Sequence, residues 1–79
     1  MGKVKLKLHS WLNAYLPKDK RHHFLELQVK GITVEDLISQ LGLPEEEVMF
    51  ITVNQKRVTR TYRINPGELI ELFPRVGGG

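Results

Sequence analysis

His22 and His23 are neighbours that would point to opposite sides of an extended backbone, and His9 stands far from both. None of the three histidines therefore has the spacing of a good metal site, and no metal is expected. The chain contains no cysteine, which excludes thiolate zinc sites, disulfide staples and cysteine nucleophiles. Glu45, Glu46 and Glu47 form an acidic run after Pro44, read as a solvated turn that could orient a basic partner. What remains is the end of the chain, where Phe73, Pro74, Arg75 and Val76 lead into Gly77, Gly78 and Gly79. Glycine loses more backbone freedom on ordering than any other residue, so three in a row add nothing to a core. Such an end is either a leftover or a tool.

The 79 residues can form one domain, with a composition that is 41% hydrophobic and 27% charged, as in ordinary globular proteins. A domain of this size hides only about 60% of the surface its unfolded chain exposes, so its stability is modest. No apolar run approaches the roughly 20 residues needed to span a bilayer, and the opening lacks the apolar stretch of a signal peptide. A cytoplasmic protein without a membrane partner is expected. The net charge of +3 is spread along the chain, with Lys18 to Arg21 the one dense basic group, and nucleic acid is not the expected partner. Trp11 and Tyr15 offer rings for stacking, yet their apolar, periodic surroundings place them in the core.

The elements that must position the tail follow from periodicity. Val4, Leu6 and Leu8 alternate with Lys3, Lys5 and Lys7, the pattern of a half-buried strand. Leu12, Tyr15 and Leu16 recur at helical spacing behind Ser10, a possible cap, and Pro17 stops that short helix or turn. Beyond a charged loop, Leu25, Leu27 and Val29 alternate again. Thr33 then caps a helix whose face is Val34, Leu37, Ile38 and Leu41, with Asp36 in a weak capping box and Gly42 in the left-handed closing position. A strand from Val48 to Val53, a turn at Asn54, a short irregular strand and a last strand carrying Ile70 and Leu72 complete the order β, β, α, β, β, β. One helix cannot bury its face alone, so four or five strands form a sheet beneath it, an α+β roll with the apolar last strand inside.

This order and ending resemble the ubiquitin-like β-grasp family, in particular its sulfur carriers of the MoaD/ThiS type. The segment Leu12 to Pro17 looks like the stretch after the first strand of molybdopterin-synthase small subunits. Thr33 to Val48 looks like their helix, and Ile51 to Val58 like their central hairpin. Asn65 to Gly79 is similar to their closing turn, strand and tail, usually Phe-Pro-Pro-Val-x-Gly-Gly. Three positions depart from the pattern. Gln55 replaces the second turn glycine, which implies a longer hairpin or another turn type; Arg75 replaces the second proline; Gly77 fills a place often held by alanine or serine.

The resemblance implies a mixed four- to five-stranded β-grasp domain over residues 1–74 and a flexible tail over 75–79. It also implies a carrier rather than an enzyme. The functional group would be the Gly79 carboxylate, beside Gly78, activated by an E1-like adenylating enzyme with ATP and converted to a thiocarboxylate. The chain itself would bind no cofactor. The sulfur would pass to an acceptor such as a molybdopterin-synthase large subunit, with Phe73, Pro74, Arg75, Val76 and Gly77 contacting the partner. Pro74 and Val76 would be exposed anchors, Phe73 part core and part contact. Side chains at 78 or 79 would collide with the walls of a narrow channel, which explains the glycines. Thiamine synthesis, transfer-RNA thiolation, conjugation to lysines as a protein modifier, and a non-covalent interaction module are the alternatives.

Overall fold

The computed structural model describes residues 2–29 and 31–75. Strand β1, Gly2–Leu8, buries Val4, Leu6 and Leu8 and turns its lysines to the other face, as the alternation predicts. Strand β2, Leu25–Val29, pairs antiparallel with β1. Helix α1, Val34–Leu41, follows, and then β3, Val48–Val53, β4, Lys56–Val58, and β5, Leu69–Pro74. The five strands lie in the order β2-β1-β5-β3-β4. The last strand is central, parallel to β1 and antiparallel to β3, and its Ile70 and Leu72 are fully buried. This is the expected α+β roll, with five strands rather than four.

Helix α1 is set by its ends. Thr33 Oγ1 accepts the Asp36 N–H and an Asp36 carboxylate oxygen accepts the Thr33 N–H, a complete capping box. Gly42 closes the helix at φ 73°, and Leu43 folds back to give its N–H to Ile38 O at 3.2 Å. Val34, Leu37 and Ile38 are buried in one cluster with the inward residues of β1, β3 and β5, whereas Leu41 is half-buried.

Two local expectations are corrected. Ser10–Tyr15 is a 3-10 helix in which Leu12 and Asn13 are buried, while Trp11 and Tyr15, expected in the core, are each 43% exposed. Three residues per turn over so short a run present no continuous apolar stripe. Nor does Ser10 cap it: Ser10 lies inside the turn at φ 55°, and no side chain caps that end. Asn13 does the fastening instead, its Nδ2 donating to Leu8 O (2.8 Å) and Ser10 O (3.0 Å) and its Oδ1 accepting the His22 N–H (2.7 Å). The second correction concerns the β3–β4 hairpin, which keeps a two-residue turn despite Gln55. Val53 pairs with Lys56, and Asn54 and Gln55 sit at φ 52° and 68°, the mirror-image geometry that right-handed strand twist favours.

Candidate functional site

Because β1 and β5 run parallel, the end of β1 and the turn after it lie beside the end of β5, at the root of the tail. The His9 N–H extends that pairing by donating to Leu72 O at 3.1 Å. Its ring then stacks on Phe73, with centroids 4.2 Å apart and planes 8° from parallel. Phe50 of β3 covers the other side of Phe73 at 4.5 Å, and the Arg57 guanidinium of β4 lies 4.8 Å from the Phe50 centroid. A row of four planar groups thus crosses the sheet surface opposite α1. His9 Nε2 also meets a Glu71 carboxylate oxygen at 2.9 Å.

Phe73 is half-buried, and with both ring faces occupied only its edge is exposed. Pro74 is corrected from exposed anchor to buried strand residue, paired in register with Val48. Proline is tolerated in this central strand for a local reason. Leu72 faces β1 and Arg75 faces β3, so alternation turns the Pro74 nitrogen toward the β1 side, where strand β1 has already ended. Arg75 is exposed, and its N–H donates to Glu47 O at 3.2 Å. The expected site residues Val76, Gly77, Gly78 and Gly79 lie outside the described residues.

Glu47 holds a second contact at this rim. Its carboxylate accepts the Tyr15 hydroxyl at 2.7 Å, which raises the phenol above its ordinary pKa, with desolvation and the charges of Glu47 and Glu46 adding to the effect. Glu45 and Glu46 are exposed, as the solvated-turn reading has it, while the carbonyls of Glu45 and Val48 accept from the Arg60 guanidinium. Met49 is half exposed beside the register shift between β3 and β5, and Trp11 is 43% exposed in the turn after β1. Sequence reasoning weighed His9 only as a metal ligand, and it missed Tyr15, Glu47 and Phe50 as neighbours of the tail. Tyr15 comes near through the parallel pairing of β1 with β5, and Glu47 and Phe50 through the antiparallel pairing of β3 with β5, neither of which a local pattern announces.

The Mut7-C ubiquitin family matches residues 1–77. Among solved structures, a Pyrococcus furiosus protein described as a molybdopterin converting factor, subunit 1, superposes with a TM-score of 0.71 at 21% identity, over 96% of this chain and 100% of that one. Small archaeal modifier protein 1 of Haloferax volcanii superposes with a TM-score of 0.71 at 16% identity, over 96% of this chain and 100% of its own. A second structure of that modifier gives 0.68 at 19% identity, over 99% of this chain and 100% of its own. A comparison with curated proteins found no match. With its five-stranded β-grasp sheet, the chain belongs to the Mut7-C ubiquitin family of ubiquitin-like domains.

Proposed function

We propose that the chain is a sulfur carrier whose Gly79 carboxylate is the working group. The observation that carries this reading is the root of the tail: the central strand runs straight into Arg75, whose N–H is held by Glu47 O. A tail anchored there has a fixed point of departure, while its glycines offer only backbone to a narrow channel. The likeness to a molybdopterin converting factor subunit supports the same reading. In the first step a carboxylate oxygen attacks the α-phosphorus of ATP, and pyrophosphate leaves. The resulting acyl adenylate is then attacked at its carbonyl carbon by a sulfur nucleophile of the sulfur-donating system, and AMP leaves with the bonding electron pair. Hydrosulfide gives the Gly79 thiocarboxylate directly. A persulfide donor gives an acyl disulfide, whose donor-side sulfur is attacked by a thiol, so that a new disulfide forms and the thiocarboxylate leaves. An acceptor enzyme then uses that thiocarboxylate as nucleophile. The partner enzymes supply the catalytic groups, and molybdopterin synthesis is the pathway proposed.

The likeness to a small archaeal modifier favours a second reading, in which a lysine amine displaces AMP and an amide forms. Intact-mass analysis after incubation with a cognate activating enzyme, ATP and a sulfur donor separates the two. Exchange of one oxygen for sulfur at the C-terminus supports the carrier, and a lysine-linked adduct supports the modifier. An unchanged mass with an enzyme that activates its own carrier would sink both. The mass of the protein purified from its source tests Gly79 as the terminal residue.

A further inference from the structure

Arg60, two residues beyond β4, is a poor choice for stability alone. It is half-buried, and among the described residues no carboxylate pairs with it. One guanidinium nitrogen, Nη1, is buried without an acceptor among those residues. A buried donor left unpaired costs free energy, which an apolar side chain of similar length would avoid. The other nitrogen, Nη2, donates to two main-chain carbonyls, Glu45 O at 2.8 Å and Val48 O at 2.6 Å.

Those carbonyls bracket Glu47. Residues Glu45–Glu47 form a single 3-10 turn, closed by the Glu47 N–H on Pro44 O (3.1 Å) and the Val48 N–H on Glu45 O. So short a turn has poor hydrogen-bond geometry and holds its own shape weakly. Glu47 O leaves it toward β5, where it accepts the Arg75 N–H at 3.2 Å. Successive carbonyls of an extended chain point to opposite sides, so Val48 O is directed toward the β4 side. Strand β4 ends at Val58, opposite Ile51, and does not reach Val48. Arg60 Nη2 takes the place of the missing strand. Arg60 is itself anchored, because its own carbonyl accepts the Glu35 N–H at 2.9 Å in the first turn of α1, and Tyr62 O accepts the Val34 N–H at 3.0 Å. A continuous set of bonds thus runs from the helix through Arg60 and the turn to the root of the tail.

We infer that Arg60 is a positioning residue for the tail: it braces the Glu45–Glu47 turn so that Glu47 O keeps Arg75 at a fixed point of departure. Its consequence for activation rests on the carrier reading proposed above. A tail whose root is already ordered loses less freedom on entering a partner's channel, so the brace contributes to binding and not to the chemical step. Both bonds leave one nitrogen. A lysine ammonium, with three donors, can therefore stand in for it, and a methionine of similar length cannot.

The test compares the full chain with Arg60→Met, Arg60→Lys and the core variant Leu37→Ala, at a temperature where all are folded. Amide hydrogen exchange read by NMR at Arg75, relative to Ile70 in the same strand, reports the brace directly. Arg60→Met should speed that relative exchange about tenfold, and Arg60→Lys should stay near the parent chain. Leu37→Ala should leave the ratio no higher. With a cognate activating enzyme and ATP, Arg60→Met should raise KM for the chain about tenfold at unchanged kcat, the signature of lost binding shared by ground and transition states. Arg60→Lys should recover most of that loss, and Leu37→Ala should keep the parent KM. An Arg75 amide that exchanges no faster in Arg60→Met would overturn the inference whatever the enzyme does. So would a Leu37→Ala KM raised as far as that of Arg60→Met, since lost stability would then account for the effect. Failure of the parent chain to be activated would sink the carrier reading instead, and the exchange comparison would still decide the role of Arg60.

Discussion

Tyr15 and Asn13 show how single residues organise the turn beside the tail. The Tyr15 hydroxyl donates to Glu47, and that bond exists only while the phenol keeps its proton, so the folded pKa is raised. The linkage follows: the stabilisation is complete below the ordinary tyrosine value of 10.0 and is lost as pH rises through the raised one. Tyr62 is raised in the same sense, first by its hydrogen bond to Glu68 and then by desolvation and the Glu68 charge. Ultraviolet titration should show both tyrosines ionising late, and Glu47→Gln should move one transition back toward the ordinary value. Two unmoved transitions in that variant would contradict the assignment. Asn13, only 2% exposed, is a different case, because its value lies in the groups it satisfies. Asn13→Ala would leave the Leu8 and Ser10 carbonyls and the His22 N–H without this partner, at a cost of about 1–3 kcal/mol in chemical denaturation.

At the scale of elements, the β3–β4 hairpin carries a strained residue that can be relieved. Gln55 sits at φ 68°, a conformation that disfavours side chains by roughly 1–2 kcal/mol, partly offset by the greater chain entropy glycine loses. Gln55→Gly should therefore stabilise the domain by about 0.5–1 kcal/mol, read as a higher denaturation midpoint with an unchanged slope. A loss of stability would mean that the Gln55 side chain contributes more than its backbone costs. The departure at residue 55 was legible in the sequence, but its outcome was not, because the register of Val53 with Lys56 is set by sheet pairing. Elements with a full period were legible: β1 by strict alternation, α1 by its capping box and closing glycine, β5 by its apolar face. The turn after β1 was not, since apolar residues at three- and four-residue spacing suit α-helix and 3-10 helix alike. The latter left Trp11 and Tyr15 outside the core. Pro74 misled for a related reason. Its place in a central strand is acceptable only because β1 stops short of it, which is a property of the sheet and not of the segment.

For the whole molecule, the proposed function implies that folding and chemistry occupy separate parts of the chain. Every residue of the described core precedes Arg75, and the central position of β5 fixes the root of the tail through β1 and β3 together. Deleting Gly78 and Gly79 should therefore leave Tm nearly unchanged while removing thiocarboxylation completely. Leu37→Ala provides the contrast, because Leu37 is 2% exposed in the helix face that closes the core. That variant should lose about 2–5 kcal/mol, a large share of the 5–15 kcal/mol typical of a folded domain. At temperatures where the remaining folded fraction is high, it should still accept sulfur, since its tail and rim are intact. Calorimetry and intact-mass analysis on the two variants separate the properties. A tail deletion that lowers Tm by as much as Leu37→Ala would make the glycines part of the fold, and the tail could then no longer be treated as a handle attached to a finished domain.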